Sequence, residues 1–94
     1  MAQLVTDHEI AQFIESRRGW RQVDSSIVKT FQFPSFPDAI AFVDKLVAPV
    51  EAANHHPDIN IIYKQVTLKL WTHDASGLTK KDFALADEID KIVS

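Results

Sequence analysis

Between Ile59 and Thr72 the apolar residues change phase. Ile59, Ile61 and Tyr63 stand on odd positions, whereas Val66, Leu68 and Leu70 stand on even ones. Successive side chains of a strand point to opposite faces, so a single flat strand cannot keep both sets on one face. A tight turn or bulge near Lys64-Gln65 is required, giving two short strands or one bent strand. The same alternation recurs upstream. Ile27, Phe31 and Phe33 share one face of a strand over Ile27–Phe33, and Val28, Thr30 and Gln32 share the other. Lys29 is the exception on the apolar face. A short strand over Trp20–Val23 precedes it, and Asp24-Ser25-Ser26 is turn chemistry, so a hairpin is the simplest connection.

Three helical segments flank these strands. Thr6 with Glu9 has the spacing of a capping box, Val5 and Ile10 that of a hydrophobic staple, and Ile10, Phe13 and Ile14 form a one-sided stripe. This predicts a helix from Asp7 to Arg18, with Arg17 and Arg18 complementing its negative end and Gly19 at C′. Ser35 with Asp38 repeats the N-cap spacing ahead of Ala39, Phe42, Val43, Leu46, Val47 and Val50. Pro49 falls inside that pattern, where it lacks an N–H and its ring meets the Lys45 carbonyl, so a kink or a broken turn is expected. Thr79 caps the last helix, with Asp82 at N3, Leu78–Phe83 as its staple and Leu85, Ala86, Ile89, Ile92 and Val93 as its stripe. The order is helix, two strands, helix, two strands, helix. The fold class is α+β, an antiparallel sheet with helices packed on one face.

Composition narrows the function. The chain has 94 residues, 46% of them apolar, which is enough for one core and one domain over residues 1–94. It has no cysteine, which removes disulfides, thiolate-ligated zinc or iron–sulfur sites, and a cysteine nucleophile. Ten basic and thirteen acidic residues are spread evenly, so bulk electrostatics give no reason to expect direct nucleic-acid binding. No basic segment followed by an apolar run stands near the N-terminus, and no stretch reaches membrane-spanning length. The expectation is a cytoplasmic protein without membrane contact.

Chemistry then rests on His55, His56 and His73. The first two lie at a helix-to-strand junction and the third just after a strand. One end of an antiparallel sheet can bring such positions together, and imidazoles exchange protons near neutral pH. The plain alternative is three solvated loop histidines. A metal site with Glu51 or Asp74 is a further alternative, disfavoured because adjacent histidines diverge in extended backbone and no i, i+4 pair is present. Trp20 reads first as core and His8 as surface. No phosphate-binding glycine loop or nucleophile elbow is present.

The run Glu51-Ala52-Ala53-Asn54-His55-His56-Pro57, then Tyr63, Val66, Leu68, Leu70 and Thr72-His73, then Gly77-Leu78-Thr79 with Asp82, Leu85 and Ala86, resembles the pterin-4a-carbinolamine dehydratase family. Gly19-Trp20, Phe31, Phe33, Phe36, Ala39 and Phe42 fit it upstream. The resemblance implies an enzyme that eliminates water from a 4a-hydroxytetrahydropterin to give quinonoid dihydropterin, recycling the pterin of aromatic amino acid hydroxylases, with neither metal nor organic cofactor. It implies His55, His56 and His73 as catalytic residues and Glu51, Asn54, Pro57, Trp71 and Thr72 as substrate-site residues. It further implies homodimers or homotetramers, which an outward-facing Trp71 and Phe83 would also favour. Two alternatives come with it: a non-catalytic interaction or dimerisation protein on the same fold, and pterin handling in molybdopterin metabolism. The chain departs from the family pattern at four points, one of them Pro49, which interrupts a helix that is usually smoother. Asp58-Ile59 stands where an aromatic residue is common, Asn54 where an aspartate is common, and Trp71 where a small residue is common.

Overall fold

The computed structural model describes residues 3–93. The elements are α1 (Asp7–Ser16), β1 (Arg21–Val23), β2 (Ser26–Gln32), α2 (Phe36–Ala53), β3 (Asp58–Ile62), β4 (Gln65–Leu70) and α3 (Lys80–Val93), with a single 3-10 turn at His73–Ala75 between the last two. The strands form one antiparallel sheet in the order β1-β2-β4-β3. The phase change resolves as a hairpin in which Ile62 pairs with Gln65. Its two-residue turn is Tyr63-Lys64, one position earlier than expected, and Tyr63 takes φ 53°. No bulge is needed, because the turn returns both apolar sets to one face.

The register explains the two faces. Ile27 with Leu70, Lys29 with Leu68 and Ile59, and Phe31 with Val66 and Ile61 lie on one side. Helices cover that side with Ile10 and Phe13 of α1, Ala39, Phe42, Leu46 and Val50 of α2, and Leu85, Ala86 and Ile89 of α3. Each large side chain buried this way contributes about 1.5–3 kcal/mol. Phe31 and Phe33 meet Phe42 with ring centroids 5.0 and 4.9 Å apart. Lys29 is accommodated on this face by a partner. Its Nζ lies 2.7 Å from Asp90 Oδ1, and the buried Trp20 indole N–H donates to Asp90 Oδ2 at 2.9 Å. Gly19, at φ 91°, passes so close to Lys29 that a Cβ would stand 2.8 Å from its Cε. The other face carries hydrogen-bonded Thr30–Thr67 and Gln32–Gln65 pairs across β2 and β4.

The helix caps follow the sequence. Thr6 and Glu9 complete a reciprocal capping box. The Thr6 N–H holds the Glu9 carboxyl below its ordinary pKa, so that contribution to stability is present above the ordinary value and is lost as pH falls through the lowered one. Ser35 caps α2 through the Asp38 N–H.

Several expectations need correction. Helix α1 ends at Ser16, not Arg18, and Gly19 lies beyond its C′ position. Arg17 turns away from the helix end to form a bidentate pair with Asp87 of α3, which raises its pKa. Ser26 belongs to β2 and is buried rather than part of the turn. Val47 and Val93, read as core, are 57% and 42% exposed. Phe83, read as outward-facing, is half-buried and stacks on Phe13 at 4.2 Å. Trp71 is half-buried as well. Helix α2 runs unbroken through Pro49. The proline sits one turn from the end, and the carbonyl that loses its N–H partner belongs to Lys45, an exposed residue.

An unbroken helix still bears the cost of its proline. Pro49→Ala is expected to restore the hydrogen bond and stabilise the fold by roughly 2 kcal/mol, the helix penalty less the proline's restriction of the unfolded chain. A urea titration with unchanged slope and a higher midpoint is the expected result; an unchanged or lower midpoint contradicts it.

Candidate active site

The last turn of α2 ends on Asn54, which adopts the left-handed conformation (φ 49°, ψ 44°). Its N–H donates to the Glu51 carbonyl at 3.2 Å and that of His55 to the Val50 carbonyl at 3.3 Å, the two bonds of a Schellman motif. Asparagine is the best non-glycine residue for this conformation. The reversal sends His55, His56 and Pro57 into the start of β3. Because Asp58 pairs with Lys69, the entry to β3 and the exit of β4 share one end of the sheet. At that exit Thr72 forms a bridge with Gly77, closing the loop that carries His73 and delivering the chain to Thr79 and α3.

A fully buried carboxylate, that of Asp82, gathers these segments. His55 Nε2 lies 2.5 Å from Asp82 Oδ1. Asp82 Oδ2 accepts from the Thr72 hydroxyl at 2.8 Å and from the Thr79 N–H at 2.9 Å. Thr72 and Thr79 share a hydroxyl contact of 2.8 Å, and the Lys81 N–H donates to the Thr79 hydroxyl at 3.3 Å. An ionised carboxylate only accepts, and each hydroxyl has one hydrogen. The donor sequence is therefore determined: Lys81 N–H to Thr79, Thr79 O–H to Thr72, Thr72 O–H to Asp82. With the carboxylate ionised, His55 donates from Nε2. Its side chain is only 10% exposed, and Nδ1 is left as the atom able to accept or release a proton.

The other predicted residues divide into two groups. His56 Nε2 pairs with Glu51 Oε2 at 2.6 Å across one turn of exposed chain. The His73 ring lies against Trp71, centroids 3.9 Å apart and planes tilted by 32°. Asn54 is exposed and Pro57 half-buried. Thr72 is buried, and its hydroxyl is committed to Thr79 and Asp82. No hydrogen bond or ring contact joins two of the three histidines among the described residues; Asp82 holds both His55 and Thr72, the residue before His73. A cavity of about 390 Å³ opens elsewhere, between Leu4–Thr6 and Thr79–Lys81, and no histidine lines it. The cavity's titratable groups are the Glu9 carboxylate and the Lys80 and Lys81 ammonium groups, whereas the imidazoles of His55, His56 and His73, which exchange protons near neutral pH, stand at the end of the sheet that Asp82 organises. Among the described residues no three His, Cys, Asp or Glu side chains are grouped to hold a metal ion.

Asp82, which organises this end of the sheet, was read from the sequence as a helix-cap residue and as part of the family resemblance but not as a site residue. A signal was available. Asp82, Leu85, Ala86 and Ile89 follow i, i+3, i+4, i+7 spacing, so the aspartate occupies the buried stripe of α3. A carboxylate there must find partners.

Residues 3–92 match the sequence model of the family described as pterin 4 alpha carbinolamine dehydratase. A protein of Roseiflexus castenholzii, provisionally named as a pterin-4-alpha-carbinolamine dehydratase, is 54% identical over 93 residues, covering 99% of this chain and 100% of that protein. One of a Picosynechococcus species, named in the same way, is 51% identical over 92 residues, covering 98% and 100%. Among solved structures, a transcriptional coactivator/pterin dehydratase from Brucella melitensis superposes with a TM-score of 0.93 at 28% identity, covering 98% of this chain and 100% of that one. A pterin dehydratase-like protein described as a RuBisCO assembly factor of the α-carboxysome superposes with a TM-score of 0.70 at 28% identity, covering 83% and 93%.

Replacing Asp82 by alanine removes the acceptor of three donors and strands them in the interior. The expected loss is about 3–5 kcal/mol, the range for breaking a buried charged pair, measured by denaturant unfolding. A loss under about 1 kcal/mol contradicts the assignment of Asp82 as the organiser of this end of the sheet.

Proposed function

Because the chain belongs to the pterin 4 alpha carbinolamine dehydratase family, we propose that it eliminates water from a 4a-hydroxytetrahydropterin to give quinonoid dihydropterin, as a single catalytic domain. In the cytoplasm, such an enzyme recycles the pterin of aromatic amino acid hydroxylases. The observation that carries this reading is the His55–Asp82 pair at 2.5 Å, which leaves Nδ1 of His55 for proton transfer.

The reaction breaks the C4a–O bond, removes the N5 proton, forms the C4a=N5 double bond and releases water. One group must protonate the departing hydroxyl and another must accept the N5 proton. Two imidazoles suffice, each contributing ~10²–10⁴-fold. We assign these roles jointly to His55 and His73. His56, held by Glu51, binds and orients the pterin. Asn54, Pro57 and Trp71 form the rim, and Thr72 acts through Asp82. No metal or organic cofactor takes part.

Single alanine changes at His55 and His73 are expected to lower turnover of freshly generated carbinolamine by orders of magnitude, with a non-additive double variant. Near-native turnover of the double variant refutes the assignment. Dialysis against a chelator is expected to leave activity intact, and loss that zinc or iron restores refutes metal independence.

A second reading, an interaction protein on this fold, is favoured by the solved relative described as an assembly factor. It predicts a folded protein without dehydration activity. Both readings accommodate self-association. The apolar surface that supports it is not Phe83 but Phe36, Ile40 and Val47 on α2, with Ile59 and Ile62 of the edge strand β3 and Tyr63 in the turn after it, each at least 40% exposed. A homodimer or homotetramer is expected by light scattering; the mass of one chain across a concentration series overturns that expectation.

A further inference from the structure

Each of the three site histidines is held by a different kind of neighbour. His55 is fixed by the buried Asp82 carboxylate and His56 by the exposed Glu51 carboxylate. His73 has no hydrogen-bond partner for either ring nitrogen among the described residues; what it touches is the Trp71 ring at 3.9 Å. We infer that Trp71 is the positioning residue for His73, supplying through its ring face the orientation that carboxylates supply to the other two. This inference rests on the dehydratase reading.

Three observations support it. Trp71 precedes Thr72, whose hydroxyl is anchored on Asp82, so the backbone beneath the indole is fixed to the interior. The indole Nε1 is sealed from solvent with no partner, although a buried tryptophan N–H ordinarily finds one. Packing of its face, not its polar edge, therefore sets its pose. Trp71 also lines a cleft of about 120 Å³ with Asp24, Ser25, Ser26 and Lys69, which His73 does not line. His73 itself is exposed, and an exposed imidazole without a neighbour samples several rotamers. An aromatic platform restricts the ring while leaving both nitrogens available to substrate. Unlike a carboxylate, it cannot take the proton that His73 must exchange with the pterin.

The test compares Trp71→Leu and Trp71→Met, which keep an apolar side chain without a ring face, with Trp71→Phe, which keeps a face and removes the unpartnered N–H. Turnover of the carbinolamine and the imidazole carbon-bound proton shifts of His73 are measured on each. In the wild type those protons should be shifted by the indole ring current. Leucine or methionine is expected to abolish the shift and lower kcat about 10–100-fold with KM moved much less; phenylalanine is expected to restore most of both. Unchanged His73 shifts in the leucine and methionine variants overturn the inference. So does wild-type kcat in them, or a loss confined to KM, which marks Trp71 as a plain wall of the pterin site. Loss of kcat in the phenylalanine variant equal to that of His73→Ala also overturns it. If the wild-type protein does not dehydrate the carbinolamine, the dehydratase reading falls, and the His73 shifts alone decide whether Trp71 holds the ring.

Discussion

The end of the sheet that carries the histidines depends on one buried carboxylate. Asp82 lies at 0% exposure and accepts from three segments: the second residue after α2 (His55), the second residue after β4 (Thr72) and the backbone that opens α3. A buried carboxylate left without donors costs far more than any one hydrogen bond contributes. The three segments therefore hold together or fail together. The helix-start geometry adds to this, because the positive end of the α3 macrodipole also favours an acidic side chain in its first turn. Capping and site construction are one interaction viewed from two sides.

The legible and illegible parts of the molecule divide by the range of the forces involved. Local capping chemistry at Thr6, Ser35 and Thr79 was legible because each cap uses partners within three residues. The paired strands were legible because a period of two has one structural meaning, and the phase change near Lys64-Gln65 required a turn or a bulge, although it did not choose between two short strands and one bent strand. The histidines were legible as a cluster only through resemblance; spacing alone left solvated loops or a metal site open. Long-range partners were hidden. Nothing local to Lys29 points to Asp90, 61 residues away, or from Arg17 to Asp87, 70 residues away. Phe83 looked exposed because its helix stripe was judged without Phe13. Pro49 looked like a helix breaker because propensity was weighed without the packing of Leu46 and Val50 on either side.

The distribution of apolar surface follows from the same architecture. An open sheet in the order β1-β2-β4-β3 leaves β1 and β3 as edges; Ile59 and Ile62 of β3 are exposed, as is Tyr63 in the turn that follows it. On α2, Phe36, Ile40 and Val47 stand away from the stripe of Ala39, Phe42, Leu46 and Val50 that faces the core. The exposed set on the helix and the one on the strand edge belong to different elements, so they constitute two candidate contact surfaces. A domain this small buries a modest share of its unfolded surface, so association through either would also add stability by mass action.

Under the roles proposed above, the same substitution has different meanings at the three histidines, and this bears on how activity data from this fold are read. Truncating His55 removes a proton-transfer atom and also strands Asp82, so lost turnover is mixed with lost stability. Truncating His56 breaks a pair whose side chains are 58% and 67% exposed; solvent screening leaves such a pair worth roughly 0–1 kcal/mol, so its effect reports on binding. Truncating His73 breaks no hydrogen bond, and its effect on turnover is the cleanest measure of chemistry. At His55 the effect on rate and the effect on fold separate only when turnover is normalised to the folded fraction under assay conditions. The size of the stability loss there then measures how tightly the fold couples its catalytic group to its interior.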